Sequence, residues 1–269
     1  MATDPPIAIR SPETPAEYAA LQEAQRLAWG LADDSYVVPL ATMVGARHHG
    51  GLVLGAFLPD GRAVGFSFAF LGRVGPRWCL YSQLTGIIPG HQGSGIGGRI
   101  KAIQRDYARE LGLDFVAWSF DPLQAGNARF NLRKLGATSG RYFEDMYGPR
   151  TDALNKGVPT DRLIAEWPVI PGALPDPTGT SDHRLVTTAP RLVDDSRSIP
   201  LASGTEAEVL LIEIPAEIAR LRSEAPEQAE AWRSAVARGF GEAFAAGYRA
   251  EDVVRDGGRS FYVLRRPGP

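Results

Sequence analysis

The stretch Leu84-Thr85-Gly86-Ile87-Ile88-Pro89-Gly90-His91-Gln92-Gly93-Ser94-Gly95-Ile96-Gly97-Gly98-Arg99 decides how this chain is read. An apolar run enters a turn with five glycines between Gly90 and Gly98, and the pattern beyond it is helical. Glycine permits positive φ, so successive backbone N–H groups can converge on one point. A helix start adds unpaired N–H groups and the positive end of a dipole. Together they suit phosphate groups. Five glycines exceed what a plain strand-to-helix turn requires, since each costs backbone entropy. Arg99 opposes the bare helix dipole, and a bound pyrophosphate would reverse the sign of that effect.

Upstream, Ile7–Arg10 alternates like a short strand. Thr14-Pro15-Ala16-Glu17 reads as a capping box opening a helix to Trp29, with Gly30 as its stop. A short helix near Leu40–Arg47 follows. Leu52–Leu58 and the alternating Val64, Phe66, Phe68 and Phe70 are strands, Gly72–Arg77 a loop, and Trp78–Ile87 a third strand. Strands joined this closely form an antiparallel meander.

Downstream, Ile96, Ile100, Ile103, Tyr107 and Leu111 mark a helix over Gly95–Leu111. Phe115–Phe120 is a strand, Gln124–Leu135 a helix, and Tyr142–Tyr147 and Arg162–Val169 two more strands. The proline-rich residues 171–184 read as a linker between a domain at 1–170 and a module at 185–269. That module carries a strand at Val209–Ile214, a helix over Ala229–Ala246 and two strands around Asp256-Gly257-Gly258. Its strand–helix–strand–strand order copies Phe115–Val169, as a partial duplication would.

Three phosphate-binding readings compete. A Walker loop needs Lys and Ser or Thr after its last glycine, but Arg99-Ile100 follows Gly98. Gly93-x-Gly95-x-x-Gly98 matches a dinucleotide fingerprint, yet a meander precedes it, and Asp121 lies late for the ribose-binding acid. Third, Gln92-Gly93-Ser94-Gly95-Ile96-Gly97 resembles the Gln/Arg-x-x-Gly-x-Gly/Ala signature of the GNAT acyltransferase superfamily. Pro89, Asn127-Ala128, Lys134-Leu135-Gly136-Ala137 and the element order over residues 5–170 resemble it too. Trp118-x-Phe120-Asp121-Pro122-Leu123, Pro159-x-Asp161-Arg162-Leu163 and Asp256-Gly257-Gly258-Arg259-Ser260 further resemble bacterial acetyltransferases found near N-acylamino-acid racemases.

The resemblance implies an α+β fold: a mixed, mostly antiparallel sheet with helices on both faces, here extended by a C-terminal α/β module. It implies a splayed parallel pair, 81–87 and 115–120, with acetyl-CoA or another short acyl-CoA in the opening. Thr85 and Ile87 would pair with pantetheine. Gln92, Gly93, Ser94, Gly95, Ile96, Gly97, Gly98 and Arg99 would hold pyrophosphate, and Asn127 would sit on the cofactor's other side. The implied activity moves a small acyl group, acetyl or succinyl, to the primary amine of a small molecule such as an amino acid. An N–H near Ile87 would stabilise the oxyanion. The family's usual tyrosine is absent, since Leu132 stands in its place. Catalytic candidates are therefore Asp121, Tyr142 and Gln83, with Ser119, Glu144 and Asp145 as further polar residues near the cleft. Asp121 also suits an N-cap, Tyr142 a core aromatic, and Asn127 a helix brace. A protein that binds CoA without turnover is the alternative.

Composition bounds the rest. Net charge is −2, from 29 basic and 31 acidic residues, which argues against nucleic acid as partner. Single Cys79 allows no intrachain disulfide and reads as a buried hydrophobe. No signal peptide and no apolar run long enough for a bilayer is seen, so no membrane and a cytoplasmic location are expected. His48, His49, His91 and His183 do not form a zinc pattern, so no metal is expected. Self-association as a homodimer stays open.

Overall fold

The computed structural model describes residues 7–31, 34–150, 157–170 and 182–266. The chain divides into two units by contact. The first holds residues 1–118, 149–158 and 168–170; the second holds 119–148, 159–167 and 171–269. Most of the expected linker lies outside the described residues, although its end is helical, as below.

The first unit begins with β1 (Ala8–Arg10) and α1 (Pro15–Trp29). Thr14 Oγ1 accepts from Glu17 N–H at 3.3 Å, one half of a capping box. The other half is missing, because Glu17 turns to Arg10 and to the Glu13 N–H instead. Gly30, at φ 58°, closes the helix as expected. Then come α2 (Leu40–His48), β2 (Leu52–Phe57), β3 (Ala63–Val74), β4 (Arg77–Ile87), α3 (Ile96–Glu110) and β5 (Phe115–Phe120), whose last two residues count to the second unit. The strands lie in the order β1-β2-β3-β4-β5. The first four pair antiparallel, and β4 pairs parallel with β5. The expected loop at Gly72–Arg77 is mostly strand. Pairing continues through Gly72–Cys79, Arg73–Trp78 and Val74–Arg77, although the apolar alternation stops at Phe70.

Strand period two sends alternate side chains of β3 to opposite faces. Phe66 and Phe68 join Tyr18, Leu21 and Ala24 of α1 and Met43 of α2 in one apolar cluster. Ser67, between them, meets Gln104 of α3. Helices therefore cover both faces of this sheet.

The second unit carries α4 (Ala125–Arg129), which passes into a wider π-type turn over Phe130–Lys134 rather than one uninterrupted α-helix. β6 (Tyr142–Phe143) is shorter than the sequence suggests and pairs antiparallel with β7 (Arg162–Pro168). Asp145, two residues beyond its end, adopts φ 41°. Next come α5 (Asp182–Thr188), β8 (Arg191–Asp194), β9 (Arg197–Ser198), β10 (Val209–Ile214), α6 (Ile218–Glu224), α7 (Pro226–Ala245), β11 (Arg249–Asp256) and β12 (Arg259–Arg265). Of these, α5, β8, β9 and α6 have no clear periodicity in the sequence. The second sheet runs β11-β12-β10-β8-β9, with β8 and β10 parallel. Trp232, Val236 and Phe240 of α7 are buried as their helical spacing predicts. The class is thus mixed α+β, with antiparallel pairing dominant.

The first unit should respond sharply to cavities. Phe66 is fully buried between the sheet and α1. Phe66→Ala should cost about 3–5 kcal/mol of unfolding free energy, measured by urea titration of the full chain.

Candidate functional site

Two irregularities shape the end of β4. The registered β4–β5 pairs are Cys79–Phe115, Leu80–Val116 and Tyr81–Ala117, and pairing ends there. β4 nonetheless runs on to Ile87 beside β3. Opposite Phe68 and Ala69 of β3 stand Leu84 and Ser82, so Gln83 is the extra residue of a β-bulge. A bulge bends its strand and raises the local twist, which suits two strands that part. Ser82–Ile87 thereby shows a backbone edge that β5 does not use. On the α1 face Trp29 covers this segment. A Cβ on Gly86 would stand 2.6 Å from its indole, so only glycine fits there.

The glycine loop continues from that edge. Gly90, Gly93 and Gly95 have φ of 87°, 77° and 80°, a region that L side chains rarely adopt. Gln92 Nε2 donates to Ile87 O at 3.1 Å and ties the loop to the strand end. Ser94 Oγ donates to His91 O, which tightens the turn. Gly95 occupies the cap of α3 without a side-chain cap bond, and the first helical bond there runs from Arg99 N–H to Gly95 O. The N–H groups of Ile96, Gly97 and Gly98 precede it and have no partner within the helix. Gly93, Gly95, Gly97 and Gly98 face open space, since an added Cβ would meet nothing within 4 Å. No acidic residue occurs from Leu84 to Arg105, whereas Arg99, Lys101 and Arg105 do. Arg99 is exposed, and its Nη2 donates to Ile7 O at 3.1 Å. Bare amides, a helix dipole and the exposed Arg99, with no carboxylate nearby in sequence, are what an anionic phosphate requires.

Beneath the loop, α3 buries a face that its apolar residues do not announce. The expected stripe ended in Ile103, Tyr107 and Leu111, yet Leu111 is 43 % exposed. The buried positions are Ile96, Ile100, Lys101, Gln104 and Ala108. The reason is the hydroxyl-bearing surface opposite. Gln104 Nε2 donates to Ser67 Oγ at 2.7 Å and to Ser82 Oγ at 2.9 Å. Lys101 Nζ donates to Ser82 Oγ at 3.2 Å and lies 3.7 Å from the centroid of the Trp118 ring, a cation–π contact. Thr85 Oγ1 lies 3.1 Å from Ser67 Oγ and 3.3 Å from Ser82 Oγ. Lys101 is 7 % exposed, and burial alone pulls its ammonium down to about 7. Sequence reading missed Lys101, Ser67, Ser82 and Gln104. Ser67 inside the Val64–Phe70 alternation was the available signal.

The remaining candidates lie in the second unit. Asp121 is not the cap of α4, which starts at Ala125. Its Oδ1 accepts from Leu123 N–H at 2.9 Å and its Oδ2 from Arg222 at 3.1 Å. Tyr142 donates its hydroxyl to Asp161 Oδ2 at 2.6 Å. Burial first, then the Asp161 carboxylate, raise its phenol above the usual range. Asp161 also accepts from Asp145 N–H, and Arg233 Nε stands 3.1 Å away at ion-pair distance without hydrogen-bond alignment. Asn127 is exposed on α4 and accepts from Asn131 Nδ2 at 3.4 Å. Ser119 Oγ and Tyr147 Oη share a hydrogen bond of 2.8 Å. Glu144 and Asp145 are exposed. Leu132 is fully buried. Cys79 is buried, as expected.

No protein-family model matches the chain, and no curated protein matches it. Solved structures of similar path do exist. The ribosomal-protein-S18-alanine N-acetyltransferase of Escherichia coli is 16 % identical, over 62 % of this chain and 97 % of its own, at a TM-score of 0.47. An aminoglycoside 6'-acetyltransferase type Ii is 15 % identical over 62 % and 99 %, at 0.46. Arabidopsis thaliana NAA60, in complex with acetyl-CoA, is 14 % identical over 61 % and 99 %, at 0.46. At these identities the functional reading rests on the residues of the site.

Lys101 leaves a mark on stability that separates it from an ordinary surface lysine. Its unfolded ammonium titrates near 10.5 and its folded one near 7. Between those values the unfolded chain holds the extra proton, so native stability rises with pH through that window. Lys101→Met lacks this slope. The variant should gain on wild type at pH 7, and the gap should close by up to about 1.4 kcal/mol per pH unit towards pH 10. Urea unfolding of both proteins over pH 6–10 checks it.

Proposed function

We propose that this chain is an acyl-CoA-dependent N-acyltransferase of the GNAT type. The observation that supports it most is the unpaired β4 edge, Ser82–Ile87, leading straight into a glycine loop at the start of α3. The loop amides from Gln92 to Gly98 take the pyrophosphate, with Arg99 beside them. The Thr85–Ile87 backbone takes the amides of the pantetheine arm. Five residue steps from Ile87 back to Ser82 span about 17 Å, on the scale of an extended pantetheine. The thioester then lies near the bulge at Gln83, where β4 and β5 part, so in this reading the oxyanion's N–H belongs there and not near Ile87.

A thioester is already activated, so the protein positions the amine, receives its proton and stabilises the oxyanion. The amine nitrogen bonds to the acyl carbon, and the C–S bond breaks to release CoA. The acceptor in this reading is the primary amine of a small molecule, with an amino acid first among the candidates. The donor is acetyl-CoA or succinyl-CoA. The resemblance to acetyltransferases found near N-acylamino-acid racemases is what favours amino acids. It also makes the cytoplasm the natural compartment, where acyl-CoA is available.

A CoA-binding protein without turnover is the second reading. Leu132, at the place of the family's usual tyrosine, is fully buried and cannot protonate a thiolate. Thiol release from acetyl-CoA and succinyl-CoA across a panel of amines separates the two. Tight CoA binding with no release on any amine would favour the binding protein.

The loop itself is tested by Gly95→Val. Gly95 sits at φ 80° at the mouth of α3. A branched side chain there is strained and stands in the phosphate path. CoA affinity should fall at least ~100-fold, about 3 kcal/mol, while circular dichroism shows a folded chain. Unchanged affinity by calorimetry would remove the pyrophosphate from this loop.

A further inference from the structure

Lys101 is out of place by the chain's own habits. Of 29 basic residues only three are lysine, namely Lys101, Lys134 and Lys156. Arginine cannot lose its proton in a protein, whereas a buried lysine can. At a buried position on α3 the chain uses lysine, which can become a base where arginine cannot.

Its partners have a direction. Gln104 donates to both Ser67 and Ser82, which fixes the orientation of its amide and leaves its Oε1 buried without a hydrogen-bond partner. A serine hydroxyl has one proton and two acceptor sites. With Lys101 as ammonium, Ser82 accepts from Lys101 and Gln104 and gives its proton to Thr85. Ser67 accepts from Gln104 and donates to Leu84 O at 3.2 Å, so the Thr85 hydroxyl donates to Ser67. With Lys101 neutral, its lone pair is free and the chain can reverse. Thr85 then donates to Ser82, and Ser82 to Lys101. Both states keep every hydroxyl bonded.

The place is as telling as the direction. Ser82 and Trp118, the two contacts of the Lys101 amine, each directly follow the last registered pair, Tyr81–Ala117. Lys101 therefore marks the closed end of the parting between β4 and β5. Thr85, at the other end of the hydroxyl chain, is partly exposed and lies on the free edge of β4.

We propose that Lys101 is the terminal proton acceptor of the acyl transfer, reached from the acceptor ammonium through the hydroxyls of Thr85 and Ser82. The proposal rests on the acyl-transfer reading. The ammonium gives a proton to Thr85 Oγ1, the Thr85 proton passes to Ser82, and the Ser82 proton passes to Lys101 Nζ. The freed amine attacks the thioester carbon; as the tetrahedral adduct collapses, the C–S bond breaks and the nitrogen's second proton goes to the departing thiolate, while Lys101 returns the first to solvent. Lys101 is a positioning residue in this scheme, because it acts through Ser82 and Thr85. It is suited to neutral pH, since burial holds its amine near 7. The groups facing it are Ser67 of β3, Ser82 and Thr85 of β4, Trp118 of β5 and Gln104 of α3. No carboxylate or second cation contributes to its shift.

The decisive experiment uses full-length protein labelled with 15N on the lysine amines. Three lysine signals are expected, and Lys101→Met assigns one. The Lys101 signal should titrate near pH 7. Titration near the ordinary lysine value of 10.5 overturns the proposal, whatever the acceptor proves to be. Thiol release from acetyl-CoA with an active amine gives the second readout. Wild-type kcat should rise through pH 7 to a plateau. Lys101→Arg, which keeps the charge but cannot titrate, should lose about 100-fold in kcat and lose the inflection. Thr85→Val should lose kcat similarly while the Lys101 signal still titrates near 7. CoA affinity by calorimetry should stay within twofold in Lys101→Arg. A Lys101→Arg enzyme with the wild-type pH profile overturns the proposal alone. Failure of wild type to bind CoA overturns the acyl-transfer reading first, and calorimetry shows that separately.

Discussion

The parting of β4 from β5 after Tyr81 and Ala117 is the constraint on which the site depends. A parallel pair normally uses both strands' inward N–H and C=O groups. Here three registered pairs form and then pairing stops, while β4 keeps its bonds to β3. The bulge at Gln83 bends β4, and β5 leaves Ser82–Ile87 without registered partners on its side. Because α3 begins directly beyond this edge, the free strand and the free helix amides belong to one continuous surface. In the proposed acyl-transfer reading, that surface is the one along which acyl-CoA lies.

The buried polar cluster behind the edge is the second constraint. A lysine and a glutamine inside a core cost free energy unless their hydrogen bonds are met. Ser67, Ser82 and Thr85 meet most of them, and Trp118 offers its ring to the ammonium. The remaining penalty appears as the depressed titration of Lys101. An apolar pair at 101 and 104 would pack α3 more cheaply. In the proposed relay these two polar side chains serve the proton's path at that cost in stability.

The second unit is organised by ion pairs between strands and helices. Arg133 pairs with Asp252 at 2.7 Å, and Asp121 with Arg222 at 3.1 Å. Asp161 gathers Tyr142, the Asp145 amide and Arg233. These partners hold Asp121 and Tyr142 in definite places. They also give the carboxylate and the phenol structural work that their neighbours in sequence do not suggest.

By itself the sequence determined the elements whose signals are local. The alternation of Val64, Phe66 and Phe68, the cap at Thr14, and the glycines from Gly90 to Gly98 specify strand, helix start and loop, because each acts through its own backbone or the next few residues. The loop and the start of α3 were legible for that reason. Tertiary structure alone decided which face of α3 is buried, since that depends on Ser67 and Ser82, residues 37 and 22 positions from Gln104. It also decided where β4 leaves β5, and it recruited Asp121 to Arg222, 101 residues away. Such contacts join side chains that no local pattern relates, so nothing in the chain singles out Lys101, which is a buried amine in the fold.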